Sequence, residues 1–452
     1  MRKLFILAIV LCIAVGSFAK KTQDQPNIVV LFVDDLGWAD LGYRNPLFDT
    51  PNVNKLSEEG MDFERAYVAT PTCSPSRASL MTGKEPVRFQ MVRHISEEDK
   101  KTGRNENKYH LWDRDPAQTP SITRLPLEEI TYAERLKEYG YYNMFVGKWH
   151  LGHEEYHPIH QGFDEQFGTS NHGHPTSYYE PYFRYASPFE EGQFPKDKYL
   201  TDILTDKAVD LIKNYKKKQP FMLNLWYYDV HGPHIGKKEL IEKYEAKGME
   251  KRFANYGAMV EAMDQSVGRV RAALEEKGIA DNTVILFTSD QGGYFTNYPL
   301  RGKKNGGNTL GEGGARVPFI IYYPGVTKPV KCAVPIQTLD VYSTLVEIAS
   351  GKDQKDPQVN GVSLMPLIRG EEVADRDLFF YRSYEDQYAA IISGDWKLIK
   401  YRSGNYELFN LKEDVSEVSN LIFVNPKIAN PLKKKLQDWE DEAVPKNPKV
   451  SF

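Results

Sequence analysis

The sequence predicts an α/β fold: a large, mixed and mostly parallel β-sheet sandwiched by helices, followed by a smaller C-terminal antiparallel sheet with one helix. Three observations predict it. Apolar runs such as Asn27 to Val33 and Val284 to Thr288 are continuous rather than alternating, the texture of strands buried on both faces. Segments of helical periodicity fall between such runs, as crossover connections require. After about Gly370 the texture changes to short β-rich runs split by Gly, Asn and charged turns.

The elements follow in order. Asn27 to Val33 reads as the first strand and stops at Asp34-Asp35-Leu36-Gly37. Pro51 to Gly60 reads as a helix, with Pro at its start and Gly at its stop. Thr131 to Tyr139 is a second helix, closed by Gly140. Tyr142 to Val146 is a strand leading into Gly147-Lys148-Trp149-His150. The amphipathic stretch Asp202 to Lys218 precedes a strand over Phe221 to Tyr228. Tyr256 to Lys277 is a long helix, and the strand Val284 to Thr288 ends in Ser289-Asp290-Gln291-Gly292-Gly293. Phe319 to Tyr323 is a further strand and Asp340 to Ala349 a helix. Phe379 to Tyr381, Ala389 to Ile392, Trp396 to Tyr401 and Tyr406 to Phe409 form the antiparallel sheet, with Pro431 to Glu442 as its helix. This gives a larger domain over residues 25–370 and a smaller one over 371–452, without internal repeats.

Composition narrows the function classes. The 452 residues carry 58 basic and 62 acidic side chains, a net charge of -4, so no global basic field favours nucleic acid. Residues 1–19 read as an export signal: Arg2 and Lys3, an apolar run from Leu4 to Val15 too short to span a bilayer comfortably, then Ser17-Phe18-Ala19. A membrane anchor is the alternative. The expectation is a periplasmic or secreted protein with no stable membrane anchor. Of the three cysteines, Cys12 leaves with the signal, and Cys73 and Cys332 either pair or remain free.

The chemistry gathers at strand ends. Cys73-Ser74-Pro75-Ser76-Arg77 opens a helix-like stretch. A thiol there, beside Arg77, is expected to have a depressed pKa, although a capped turn would give the same spacing. Asp34 and Asp35 end one buried strand, and Asp290 and Gln291 end another. In open α/β sheets that edge binds ligands, and four oxygen donors suit a hard cation such as Ca²⁺. Lys148 and His150 are two apart and share a side at strand period. His231 ends a third strand, in Tyr228-Asp229-Val230-His231-Gly232-Pro233-His234. Arg301 to Lys304 and Glu312-Gly313-Gly314-Ala315-Arg316-Val317-Pro318 complete the set, whose basic groups could balance an oxyanion. Eight of the ten histidines lie between His150 and His234, so a zinc site is a rival. The oxygen-rich pairs argue against it, and His153, His157 and His160 read as surface or structural. His172 and His174, beside Tyr178 and Tyr179, read either as a sugar subsite or as loop packing.

Taken together, these motifs resemble the formylglycine-dependent type I sulfatases of the alkaline-phosphatase superfamily. C-S-P-S-R matches the C-x-P-x-R signature. V-D-D-L-G, G-K-W-H-L-G, H-G-P, F-T-S-D-Q-G-G and E-G-G-A-R-V-P appear in the same order, and the resemblance runs from about Asn27 to about Leu421. It implies that a maturation enzyme converts Cys73 to formylglycine and that Arg77 holds its hydrate. It implies that Asp34, Asp35, residue 73, Asp290 and Gln291 surround one Ca²⁺, and that Lys148 and Lys304 neutralise sulfate oxygens. His150 would assist sulfate release, and His231 would sit by the leaving oxygen. Two departures stand out: Gln291 where the family commonly has Asn, and a longer stretch between Lys304 and Glu312, which leaves Lys303 a rival of Lys304. Ser170, Asn171 and His172 all compete for a further place near the sulfate. The implied substrate is a sulfated carbohydrate, a polysaccharide or oligosaccharide. The alternatives are a phosphodiesterase or phosphonate monoesterase of the same superfamily and an inactive secreted glycan-binding homologue.

Overall fold

Strand β1 (Asn27–Val33) lies mid-sheet because its residues alternate between two hydrophobic cores. Val29, Leu31 and Val33 enter one core, and Ile28, Val30 and Phe32 enter the other. This computed structural model describes residues 25–95, 121–295, 297–305, 308–382 and 386–445. The expected export signal at 1–19 lies outside the described residues, as do residues 306–307 of the stretch between Lys304 and Glu312. No helix among the described residues is long and apolar enough to cross a membrane.

The large sheet has eight strands: β1, β2 (Met61–Phe63), β4 (Tyr142–Gly147), β5 (Glu165–Phe167), β6 (Phe221–Trp226), β7 (Thr283–Ser289), β9 (Phe319–Tyr322) and β10 (Val330–Cys332). Their order is β10-β2-β9-β7-β1-β6-β4-β5. Five strands from β7 to β5 run parallel, and β9 runs against both its neighbours. A three-stranded sheet of β3 (Ala66–Tyr67), β8 (Arg316–Val317) and β11 (Ile336–Gln337) flanks it. Helices α1 (Pro51–Glu59), α4 (Leu200–Asn214), α5 (Lys238–Ala246) and α6 (Lys251–Glu276) cover one face. Helices α2 (Cys73–Thr82), α3 (Tyr132–Glu138), α8 (Asp340–Ser350) and α9 (Met365–Ile368) cover the other. The short α7 (Glu312–Ala315) precedes β8. Burial on both faces explains why these strands read as unbroken apolar runs.

The C-terminal sheet is antiparallel, in the order β12 (Asp377–Tyr381), β13 (Gln387–Ser393), β14 (Trp396–Tyr401), β15 (Tyr406–Asn410). Its alternation is also two-sided. Tyr381, Ala389, Ile391 and Leu398 pack against α10 (Pro426–Ala443), where Phe379 stacks on Trp439 at 5.1 Å. Leu378, Phe380, Ala390 and Ile392 pack towards Tyr67 and Ala315 of the larger unit. The helix starts at Pro426, not at Pro431 as the sequence reading had it. Pro426 takes the first-turn position, where its missing N–H costs nothing. Pro431 gives up one internal bond while Leu432, Leu436 and Trp439 continue the buried stripe. Two other helix boundaries also differ: α6 begins at Lys251 rather than Tyr256, and α4 ends at Asn214, leaving Lys216 to Lys218 exposed beyond it.

A buried ionic network joins the two units. The Lys397 ammonium sits 2.9 Å from Glu312 Oε1 and 3.0 Å from Glu417 Oε1. Tyr67 donates to Glu312 Oε2 at 2.9 Å, and the Glu312 N–H donates to Glu417 Oε2 at 2.7 Å. Burial works against charge on Glu312, but Lys397 and Arg316 outweigh it and hold its carboxyl below the ordinary value. Lys397→Met keeps the length but strands two buried carboxylates. It is expected to cost about 3–5 kcal/mol in denaturant unfolding. A cost of about 0.5 kcal/mol, that of a surface change, would contradict this role for the network.

Candidate active site

The carboxyl ends of β1, β4, β6 and β7 open onto one pocket, and the N-terminus of α2 points into it. Two glycines allow the close packing beneath. A Cβ on Gly147, where φ is 108°, would lie 1.9 Å from the Trp226 carbonyl oxygen. That contact lets the Lys148 N–H donate to the same oxygen at 2.9 Å, tying the end of β4 to β6. A Cβ on Gly292 would lie 1.9 Å from the Gly313 oxygen, so the Asp290-Gln291-Gly292 turn packs directly on α7. Pro75 is tolerated in α2 because the first-turn N–H groups have no intrahelical partners.

Three carboxylates and three cations meet below Cys73. Arg77, fully buried one turn along α2, donates to Asp290 Oδ2 through Nε at 3.2 Å and Nη2 at 3.0 Å. Its Nη1 donates to the Lys148 carbonyl at 2.9 Å, and its plane lies over Phe32 and Trp226. The Lys148 ammonium bonds Asp34, and the Lys304 ammonium bonds Asp35. The Asp35 N–H donates to Asp290 Oδ1 at 3.0 Å. Gln291 Nε2 reaches both Asp35 Oδ1 at 2.8 Å and Cys73 Sγ at 3.0 Å. His231 Nε2 is 3.7 Å from Asp35 Oδ2, and its Nδ1 is 2.7 Å from the Gly232 oxygen.

The electrostatics follow from burial. Desolvation raises the Asp290 carboxyl to about 6, with Asp34 adding to the rise and Arg77 and Lys148 opposing it. Desolvation likewise raises Asp35 against the pull of Lys304. Burial disfavours charge on Arg77 and Lys304, yet the facing carboxylates outweigh it and raise both. His231 is held well below its ordinary value, first by burial and then by Lys304 and Lys148. One expectation is corrected. Burial pushes the Cys73 thiol up to about 11, not down. The lysines pull the other way, but desolvation and the nearby Asp34 and Asp290 prevail over the helix end and Arg77.

The residues named from sequence come together unevenly. Cys73, His150, His231, Gln291 and Lys304 line the pocket itself. Asp34, Asp290, Arg77 and Lys148 form its buried floor. Lys304 rather than Lys303 reaches the cluster, since Lys303 is exposed and lines a different cavity. Strand period does not explain Lys148 and His150, because β4 ends at Gly147 and His150 has φ 59°. None of Ser170, Asn171 and His172 lines the pocket. Ser170 bonds Tyr228, Asn171 receives the Gly152 N–H, and His172 stacks on Phe183. His94, His174, Tyr294 and Asn305 line it instead. Tyr294 and Asn305 directly follow recognised motifs, which was the available signal; His94 had none. Cys73 and Cys332, the cysteines among the described residues, do not pair and are both free.

The sulfatase family profile matches residues 26–351. The chain belongs to the sulfatase family. A second profile, N-sulphoglucosamine sulphohydrolase, C-terminal, matches residues 309–442. The chain is 33% identical to the N-acetylgalactosamine-6-sulfatase of Canis lupus familiaris, across 85% of this chain and 73% of that one. It is 30% identical to a sulfatase of Formosa agariphila, across 96% of this chain and 92% of that one. The crystal structure of Ps i-CgsB in complex with k-i-k-neocarrahexaose superposes with a TM-score of 0.80 at 30% identity, over 93% of this chain and 94% of that one. With this family and this fold, the enzyme is a sulfatase of the alkaline-phosphatase superfamily.

Asp229, two residues before His231, accepts hydrogen bonds from Thr201 and Tyr199 in full burial. Desolvation pushes its carboxyl up to about 7, with the Thr201 bond opposing. The folded-state pKa thus exceeds the unfolded one. The stability it contributes is complete below about pH 4 and is lost as pH rises through about 7, by at most about 4 kcal/mol. Asp229→Asn is expected to flatten the fall in thermal midpoint between those values. An unchanged slope would contradict this assignment.

Proposed function

We propose that this sulfatase removes sulfate from a sulfated carbohydrate, using formylglycine at position 73 and one Ca²⁺. The observation that carries this reading is the arrangement around Cys73. A largely buried thiol whose pKa is pushed up is a poor nucleophile, yet Cys73 lines a pocket flanked by Lys304 and His231. That placement suits a precursor side chain rather than a working thiol.

The metal is judged by its donors. Ligand atoms of Asp34, Cys73 and Asp290 lie within 4.8 Å of one another. Asp34 Oδ1 is buried without a hydrogen bond, and Asp35 adds carboxylate oxygen; Gln291 faces the cluster with Nε2 and would present its oxygen to a cation on turning its amide over. That chemistry fits a hard cation, and Asp34, Asp35, Asp290, Gln291 and residue 73 would hold it. When bound, Ca²⁺ supplies positive charge that polarises the sulfate oxygens. When oxidised by the maturation enzyme and hydrated, residue 73 supplies one hydroxyl to attack sulfur and a second whose deprotonation expels sulfate.

The remaining work belongs to unmodified side chains. Lys148 and Lys304 offset charge on the sulfate oxygens from fixed, desolvated positions. Arg77 holds Asp290 and the Lys148 main chain in place, so the floor does not reorganise during reaction. His150 is the base for the second hydroxyl. The His231 Nδ1 proton is committed to the Gly232 carbonyl, which leaves Nε2 as an acceptor facing the leaving group. Lys304 enters the reaction carrying the proton that the leaving alcohol takes. The carbohydrate assignment draws on the N-acetylgalactosamine-6-sulfatase relatives and on the oligosaccharide bound by Ps i-CgsB. An export signal over residues 1–19 would deliver the enzyme to the periplasm or the medium, where such polysaccharides are degraded.

The test is sulfate release from a panel of sulfated oligosaccharides and aryl sulfates, with aryl phosphate diesters as the competing class. Sulfate esters are expected to be preferred. Chelation with EGTA is expected to abolish turnover, Ca²⁺ to restore it, and Lys304→Ala to lower kcat by about 100-fold or more. Preference for the phosphate diesters, or full turnover after chelation, would overturn the reading.

A further inference from the structure

We propose that the cavity beside the catalytic pocket is a subsite for a second oxyanion on the same glycan, so that the substrate is polyanionic rather than singly sulfated. This rests on the sulfatase reading above. The pocket over Cys73 has a volume of about 260 Å³. Beside it lies a cavity of about 900 Å³ that shares His174, His231 and Tyr294 with it. The His174 and His231 rings stack with centroids 5.2 Å apart and planes 11° from parallel, forming a common wall. A glycan whose sulfate sits over Cys73 therefore continues past this wall into the larger cavity.

That cavity is chemically one-sided. No carboxylate lines it among the described residues, while Arg184 and Arg252 enter it from segments far apart in sequence. Neither arginine's side chain forms an ion pair or a hydrogen bond with any described residue. By contrast, Arg44, Arg77, Arg271, Arg301 and Arg376 each face a carboxylate. Arg252 is placed by aromatic faces instead, 5.2 Å from the Tyr294 ring centre and 5.4 Å from that of Phe295. A guanidinium resting on rings keeps its N–H fork for a ligand, and that fork matches the planar edge of a sulfate or carboxylate. His234, which lines the same cavity, is pushed down to about 4 by burial and then by Arg252 and Lys304. It is therefore neutral near pH 7, and the arginines carry the positive charge of this cavity.

Three oligosaccharides that share one cleavable sulfate test this. The neighbouring residue is neutral in the first, carries a second sulfate in the second and is a uronate in the third. The second anion is expected to raise kcat/KM by about tenfold or more. The two anionic arms show whether sulfate, carboxylate or both are read, and a gain in either supports the subsite. The ratio of doubly to singly anionic substrate is expected to collapse towards one in Arg252→Ala and in Arg184→Ala. Both side chains are exposed, so thermal midpoints should confirm that these variants are folded. Equal kcat/KM for all three compounds, with sulfate released from each, would overturn the subsite while leaving the sulfatase reading intact. So would a preference that survives in both variants. No release from any compound would remove both.

Discussion

Everything at this site depends on burying three carboxylates and three cations together under one side chain. Unpaired, each such ion would cost several kcal/mol to desolvate. Paired as Lys148–Asp34, Lys304–Asp35 and Arg77–Asp290, they offset one another's charge. The same desolvation that raises Asp290 and Asp35 also keeps the Cys73 thiol protonated. A divalent cation among the acids would tip this balanced cluster positive, the sign that an oxyanion requires.

The fold supplies that cluster by topology. Parallel strands end on the same edge, so Asp34, Asp290, Lys148 and His231 converge although they are distant in sequence. The backbone then locks the strand ends together: the Asp34 N–H donates to the Asp229 carbonyl at 2.8 Å and the Asp290 N–H to that of Val33 at 3.2 Å. The C-terminal sheet acts at one remove. Lys397 holds Glu312, and the helical turn that Glu312 begins packs its glycines under the Asp290 turn. The E-G-G-A-R-V-P motif is in this sense structural, joining the second unit to the floor of the site.

Much of this architecture was legible because the signals were local and redundant. Continuous apolar runs ending in Asp-Asp or Asp-Gln marked both the buried strands and the edge where they open. What escaped reading was non-local. The two- and three-residue strands β2, β3, β8, β10 and β11 are too short to carry a period. Pro431 carried the signal of a helix start but sits inside α10. The Cys73 pKa depends on desolvation by the whole fold, whereas its neighbours in sequence suggested the opposite sign. Lys303 and Lys304 are adjacent and chemically identical in sequence; only the Lys304 N–H bond to the Gly293 carbonyl, at 2.9 Å, and the turn around it decide which faces inward.

A largely buried thiol with a raised pKa, lining a pocket flanked by Lys304 and His231, makes sense as a precursor, and that is the central claim. The most direct measurement is mass spectrometry of the peptide containing residue 73, taken from enzyme of known specific activity. An aldehyde at residue 73 whose fraction tracks activity is the expected result. Fully active enzyme that retains an unmodified Cys73 thiol would contradict the account.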